Sequence, residues 1–394
     1  MRIMNRNWGL SLAAAALSMV AVVRVASAAP TIEQSGSIVV FPKVLGTTER
    51  DTLIEISNSS NLMAHAHCLY VNAAEEGEWV ETDFDLWLTK QQPTHWLART
   101  GRRVNLFDPF GSDGSGFDPG LIPPVPAGFQ GELRCYQVDD AGFPQRGNSL
   151  KGNATIIRND GDVSRYNAIA IPGNPDTDIP SDDNILNLNN TASHAGEYDA
   201  CPDTLTVSLL SEGSTDPVVE EEGDCAGGDC TVSTELTLVP CGANYEDITP
   251  ENVSVSILVY NEYEQVVSAS VEVDCWLNIT LDDLVFQGAF EYNTLGTPGA
   301  HARFNPAEGN GAILGIAEEL RTDSDGDSSW AAFNLHFEGN RFDAARDIDG
   351  NLLSSLACAG GENAGNACTA DDQCPGSACI NGVQDRIVIP LSFN

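Results

Sequence analysis

One pattern is written twice in this chain, and it limits the fold more than any other feature. Leu69-Tyr70-Val71-Asn72 leads to Trp87 within Asp85-Leu86-Trp87-Leu88. Leu258-Val259-Tyr260-Asn261 leads to Trp276 within Asp274-Cys275-Trp276-Leu277, and each Trp stands fifteen positions after its Asn. Further on, Ile156-Ile157-Arg158 runs into Asn159-Asp160-Gly161-Asp162 and then Tyr166-Asn167-Ala168-Ile169. Its counterpart is Glu319-Leu320-Arg321, then Asp323-Ser324-Asp325-Gly326-Asp327, then Phe333-Asn334-Leu335. Similar strands arise often by chance, but features recurring in one order point to a duplicated unit.

That unit is built of strands. Apolar residues alternate with polar ones through 37–41, 52–56, 84–88, 131–135, 154–157, 253–259 and 271–277, with Gly, Asp, Asn and Pro between the runs. No convincing helical periodicity follows the first residues. The expected fold class is all-β: two tandem Ig-like β-sandwich domains from an internal duplication, with disulfide-rich loop insertions. The expected domains are 29–172 and 198–394, joined by a polar linker at 173–197, with insertions at about 212–231 and 357–380. Trp87 and Trp276 are expected in the two cores, because buried aromatics dominate sandwich interiors.

The N-terminus reads as a signal peptide over 1–28: Arg2 and Arg6, an uncharged, mostly apolar run from Trp8 to Val23, then Ala26-Ser27-Ala28. The run is short for a membrane span, and no later stretch is apolar enough to be one. The expected location is therefore outside the cytoplasm, in the periplasm, on the cell surface or beyond it. Removing 1–28 takes three arginines away and leaves 16 basic against 57 acidic residues, a net −41. Such a chain repels phosphate backbones and anionic headgroups, which argues against nucleic-acid and membrane-surface roles.

All eleven Cys follow the signal, as expected where disulfides persist. Cys68 is expected to pair with Cys135, Cys201 with Cys241, and Cys225 with Cys230. Cys358, Cys368, Cys374 and Cys379 make two bridges in one of three connectivities, and which of Cys201, Cys241 and Cys275 stays unpaired is left open, Cys201–Cys241 being the favoured bridge. Gaps of nine, five and four residues lack the paired knuckles of a zinc site.

Asp323, Asp325 and Asp327 put carboxylates at alternate positions around Gly326, as short calcium loops do. Asp-Gly is equally a turn signal, and Asn159-Asp160-Gly161-Asp162 repeats it in the first unit. Possible Ca²⁺ is the sole cofactor expectation. Asp108 to Asp118 is a weaker loop of the same kind. His65 and His67 alternate on a strand and share a face, and with His95 they offer three nitrogens for a metal. No nucleophile elbow, H-E-x-x-H, phosphate loop or dinucleotide fingerprint is present.

Gly36-Ser37-Ile38-Val39-Val40-Phe41-Pro42-Lys43, His67-Cys68-Leu69-Tyr70-Val71-Asn72 and Leu88-Thr89-Lys90-Gln91-Gln92-Pro93-Thr94-His95-Trp96 resemble an uncharacterised family of secreted β proteins from environmental bacteria. Gly315-Ile316-Ala317-Glu318-Glu319 and Asn334-Leu335-His336-Phe337 extend the resemblance over most of the chain. It implies the fold and no activity. The expected role is a non-catalytic extracellular or cell-surface structural or adhesion-type protein with a protein or glycan partner. A calcium- or carbohydrate-binding sandwich module is the alternative, and a secreted hydrolase with an unrecognised site the second.

Overall fold

The computed structural model describes residues 30–73, 80–102, 120–173, 186, 188, 197–199, 201–202, 204–214, 231–241, 252–284, 288–307, 312–323, 325–338, 356–358 and 379–381. Strands make up most of these, the rest being turns and connections with one helical turn. The first set is β1 (Ile38–Gly46), β2 (Arg50–Asn58), β3 (Ala64–Asn72), β4 (Val80–Leu88), β5 (Pro93–Leu97), β6 (Phe129–Val138), β7 (Leu150–Arg158), β8 (Val163–Asn167) and β9 (Ile169–Ile171). The second is β10 (Thr204–Leu210), β11 (Thr231–Cys241), β12 (Asn252–Asn261), β13 (Val266–Asp274), β14 (Leu277–Thr280), β15 (Gly299–Pro306), β16 (Ala312–Thr322), β17 (Ser328–Asn334) and β18 (His336–Glu338). One helical turn, Tyr292–Leu295, precedes β15, and β19 (Leu356–Cys358) pairs with β20 (Cys379–Asn381).

Every ladder is antiparallel, and the two sets pair in the same order. The first runs β4-β3-β6-β1-β9 on one side and β5-β2-β7-β8 on the other, the two sides joined at Gly46↔Asp51. The second runs β13-β12-β15-β10-β18 and β14-β11-β16-β17. Within each set the two sides bury their alternating apolar faces against each other. Val39, Phe41, Tyr70, Leu86, Ile54 and Ile156 belong to the first core, and Val255, Ile257, Phe304, Leu236 and Leu238 to the second.

A third apolar cluster lies between the sets. Ile38, Val40, Leu69, Tyr136 and Ile171 of the first meet Val239, Cys241, Ala312 and Leu314 of the second. This accounts for β1, whose nine residues are all buried: over Ile38–Phe41 odd and even positions face different apolar partners, so this part is a continuous apolar run, and Lys43 beyond it is buried against acids of the second set. Pro42 has no N–H to give, and the β1–β6 register shifts between Phe41 and Val44. The stretch expected as a polar linker also contributes here, since Leu186 and Leu188 are buried in the same cluster, next to Tyr198 at the start of the expected second domain.

Two expectations are corrected. Trp87 and Trp276 are only half-buried and belong to neither sandwich core. Equal spacing misled because the hairpins differ in length: Asn72 pairs with Val80, whereas Asn261 donates to the Gln265 carbonyl only four residues on. Trp87 thus falls within β4 and Trp276 beyond the end of β13. The run 271–277 is likewise two strands, interrupted at Cys275, whose φ is +59°. Such a φ is costly for a residue with a side chain and breaks a strand.

Candidate functional site

The face of β3, β4 and β6 that points away from the first core is covered at Leu69 and Tyr136 by the third cluster; beside that contact, at His65, His67, Asp83, Asp85 and Trp87, it gathers the polar and aromatic side chains that form its outer part. On β4, Asp83, Asp85 and Trp87 alternate toward this face, beside His65 and His67 of β3. The indole of Trp87 stacks on the His65 ring, with centroids 4.3 Å apart and planes within 13°. Asp85 Oδ1 lies 3.2 Å from His65 Nε2 and 3.0 Å from His67 Nδ1. His65 Nδ1 lies 2.9 Å from the Asp139 carbonyl oxygen, so each ring nitrogen has an acceptor within reach and either tautomer finds a hydrogen-bond partner. Tyr136 of β6 meets His67 edge-on at 5.4 Å.

Two hollows flank the Trp87–His65 stack. One of about 610 Å³ has His65 in its wall, with Leu62 and Met63 from the β2–β3 connection and Asp139, Asp140 and Arg146 opposite. Leu62 is 77% exposed. The other, of about 420 Å³, is lined by Asp83, Asp85, Trp87, Leu121 and Pro123. Gly120, at φ +97°, lies against β4 so closely that a Cβ there would sit 3.0 Å from the Asp85 carbonyl oxygen. Only glycine combines that φ with that approach.

A second polar cluster is buried at the junction of the sets. The Lys43 ammonium, fully buried, is 2.7 Å from Glu235 and also bonds Glu318. Arg50 reaches Glu235 at 2.8 Å, Ser164 donates to Glu318, and Trp276 Nε1 donates to the Pro42 carbonyl at 2.8 Å. Burial acts to raise the Glu235 carboxyl, but the Lys43 charge and the Arg50 hydrogen bond outweigh it and hold the group well below the ordinary carboxylate value. Nearby, Arg158 lies 4.3 Å over the Trp330 ring. This cluster locks two apolar surfaces together; charges so deep must be paired to be tolerated.

The expected site residues are dispersed. Asp323 Oδ1 accepts the backbone N–H groups of Asp325 at 3.0 Å and Asp327 at 2.8 Å, and Gly326 has φ +85°. The β7–β8 hairpin closes with the same backbone bonds, Arg158 and Asp162 standing where Asp323 and Asp327 do and Gly161 where Gly326 does, but there the acceptor is the third residue of the turn, Asp160 Oδ1 accepting Asp162 N–H at 3.0 Å. Among the described residues no three His, Cys, Asp or Glu are grouped to hold a metal. His95 sits on β5, opposite Glu55 in the other side of the sandwich, away from His65 and His67. Sequence reasoning paired those two histidines but missed Asp85, whose place opposite His67 depends on the β3–β4 register.

Cys68 is bonded to Cys135 and Cys201 to Cys241, while Cys275 is free. Burial raises the Cys275 thiol, and Asp274 adds to the rise. The β19–β20 register sets Cys358 opposite Cys379. Cys225, Cys230, Cys368, Cys374, the 108–118 loop and the signal segment lie outside the described residues. No described helix is long and apolar enough to cross a membrane.

No family model matches the chain, and no curated protein does. Among solved structures, Thermotoga maritima 1070 is 8% identical with a TM-score of 0.22, over 34% of this chain and 95% of that one. The apo form of the Pleurotus ostreatus lectin is 12% identical with a TM-score of 0.17, over 76% of this chain and 77% of its own. Scores this low carry no argument about this chain.

Proposed function

We propose that the chain is an exported, non-catalytic adhesion-type protein that recognises its partner through the outer face of β3, β4 and β6. The observation behind this is the Trp87–His65 stack with Asp85, set between two open hollows. Such a surface offers a rigid aromatic contact area flanked by hydrogen-bonding groups, as recognition requires. The apolar cluster and ion pairs between the sets support a rigid carrier for that face, and the shared pairing order supports descent from one duplicated domain. Export is supported by the signal-like N-terminus and by disulfides, which persist in oxidising compartments.

Two measurements test this. The secreted product is expected to begin at Ala29, read by N-terminal sequencing. Particles coated with the full exported chain are expected to attach to bacterial envelope material, several-fold less after Trp87→Ala or Leu62→Asp. Attachment equal to wild type in both variants retires the reading.

A further inference from the structure

We infer that the hollow beside Trp87 takes a neutral oligosaccharide, bound by stacking on the indole and by hydrogen bonds from its hydroxyls to Asp83 and Asp85. This rests on the outer face being the recognition surface, and it names the ligand class.

The indole is held flat before any ligand arrives, because its packing on His65 fixes the plane. A rigid aromatic surface with few rotatable bonds loses little entropy on binding. Asp83 and Asp85 stand at alternate positions on the same strand and line the same hollow as Trp87, with Leu121 and Pro123 as its apolar wall. Carboxylates only accept, so the matching ligand donates several hydrogen bonds; a sugar ring presents hydroxyl donors at its edge and C–H groups on its face. A second hollow has in its wall His65, the ring stacked on Trp87. The surface therefore suits a chain of several rings better than a single one.

Charge and topology narrow the class further. The chain carries 57 acidic and 19 basic residues, which disfavours acidic glycans. An extended peptide docks most readily by adding a strand to a free sheet edge. Here Gly120 is pressed against the Asp85 carbonyl, so its segment already occupies space beside β4. A ligand must then be read by side chains. Of the two donor-rich classes, only the sugar also offers a C–H face to the indole and to the Leu121 and Pro123 wall, while Asp85, with Oδ1 beside His65 and His67, keeps its second oxygen as an acceptor.

The test is calorimetric titration of the full exported chain with cellotetraose, xylotetraose, mannotetraose and chitotetraose, and with tetralysine as the rival class. At least one tetrasaccharide is expected to bind, weakened at least about tenfold by Trp87→Ala and by Asp83→Asn. Asp83 is exposed, so its variant is expected to melt like wild type and separates lost binding from lost folding. Binding to none of the four sugars overturns the inference, as does binding unchanged in both variants. Tetralysine bound alone also overturns it, in favour of a cationic peptide. If envelope attachment still depends on Trp87 while no sugar binds, the ligand class is wrong and the recognition face stands. If attachment depends on neither Trp87 nor Leu62, the underlying reading fails as well.

Discussion

The two nine-strand sets share a pairing order but are held together by different chemistry. In the first, β3 and β6 are tied by Cys68–Cys135 at the centre of the ladder. Four residues before the matching Asn of the second set the position is Ile257, and opposite it is Phe304. Around the disulfide the first core is aromatic: Tyr70 packs near Phe84 and Phe129, and Trp96 donates to the Tyr70 hydroxyl. Around Ile257 the second core is mostly Val, Leu and Ala. The difference teaches that the order of strands does not depend on the covalent link, since alternation and turns suffice to reach it.

The strongest way to break the comparison is to attack what the sets share. Lys43→Ala leaves Glu235 and Glu318 at the junction with Arg50 alone. Stranding a buried charge costs about 3–5 kcal/mol. Calorimetry of the variant is expected to show a lower melting temperature and a transition split in two, as the sets lose their common interface. A single transition at the wild-type temperature would mean the apolar cluster alone fixes the junction.

Next comes the covalent difference itself. Removing Cys68–Cys135 by paired Ala substitution is expected to cost about 2–4 kcal/mol, because the bridge closes a long loop in the unfolded chain. Ile257→Ala in the second set removes packing only, at a comparable cost. Under reducing conditions the first penalty should vanish and the second persist, read by denaturant midpoints. If both penalties respond to reductant alike, the disulfide is not what distinguishes the cores.

Much of this contrast was legible in the chain. Period-two alternation located strands in both sets, and the Asp-Gly signals marked two hairpin tips that close alike. Spacing between repeats was less informative, because it counts loop residues as though they were strand. The equal distances to Trp87 and Trp276 hid one long hairpin and one short one. The site was half legible: His65 and His67 share a face by alternation alone, but a partner on another strand is set by register. Lys43 gave no local sign of burial, since its partners lie nearly two hundred residues or more away. Ion pairs of that separation have no short-range pattern.

Acidity sharpens the comparison at the connection before the second strand of each set. In the first, the Thr47 hydroxyl accepts the Arg50 N–H at 2.9 Å. In the second, the Glu212 carboxylate accepts the Thr234 N–H. Burial raises the Glu212 carboxyl from 4.5 to about 7, against hydrogen bonds from Ser233 and Thr234 that lower it. Its folded value lies above its unfolded one, so its contribution is present below pH 4.5 and is lost as pH rises through about 7, by at most about 3 kcal/mol. Glu235 has the opposite sign: its value is depressed, so its stabilisation is lost on acidification. Glu212→Gln is expected to flatten the decline between pH 4.5 and 7 in melting experiments. An unchanged slope would assign the decline to other groups.

The smallest expected effect concerns the two hairpin tips, where the sets are most alike. Asp160 and Asp323 each accept N–H groups within their own turn. Asp323→Ala removes an acceptor from two such groups and is expected to cost about 1 kcal/mol. Asp325 contributes its backbone N–H to that turn, so Asp325→Ala is expected to stay within about 0.5 kcal/mol of wild type. A turn held by one carboxylate separates the two substitutions, whereas a bound cation would need both. Calcium is therefore expected to leave the midpoint of wild type and of Asp325→Asn alike. A calcium-dependent rise lost in Asp325→Asn would make the second tip an ion site and end its equivalence with the first, where Asp160 and Asp162 flank Gly161 with no third acid.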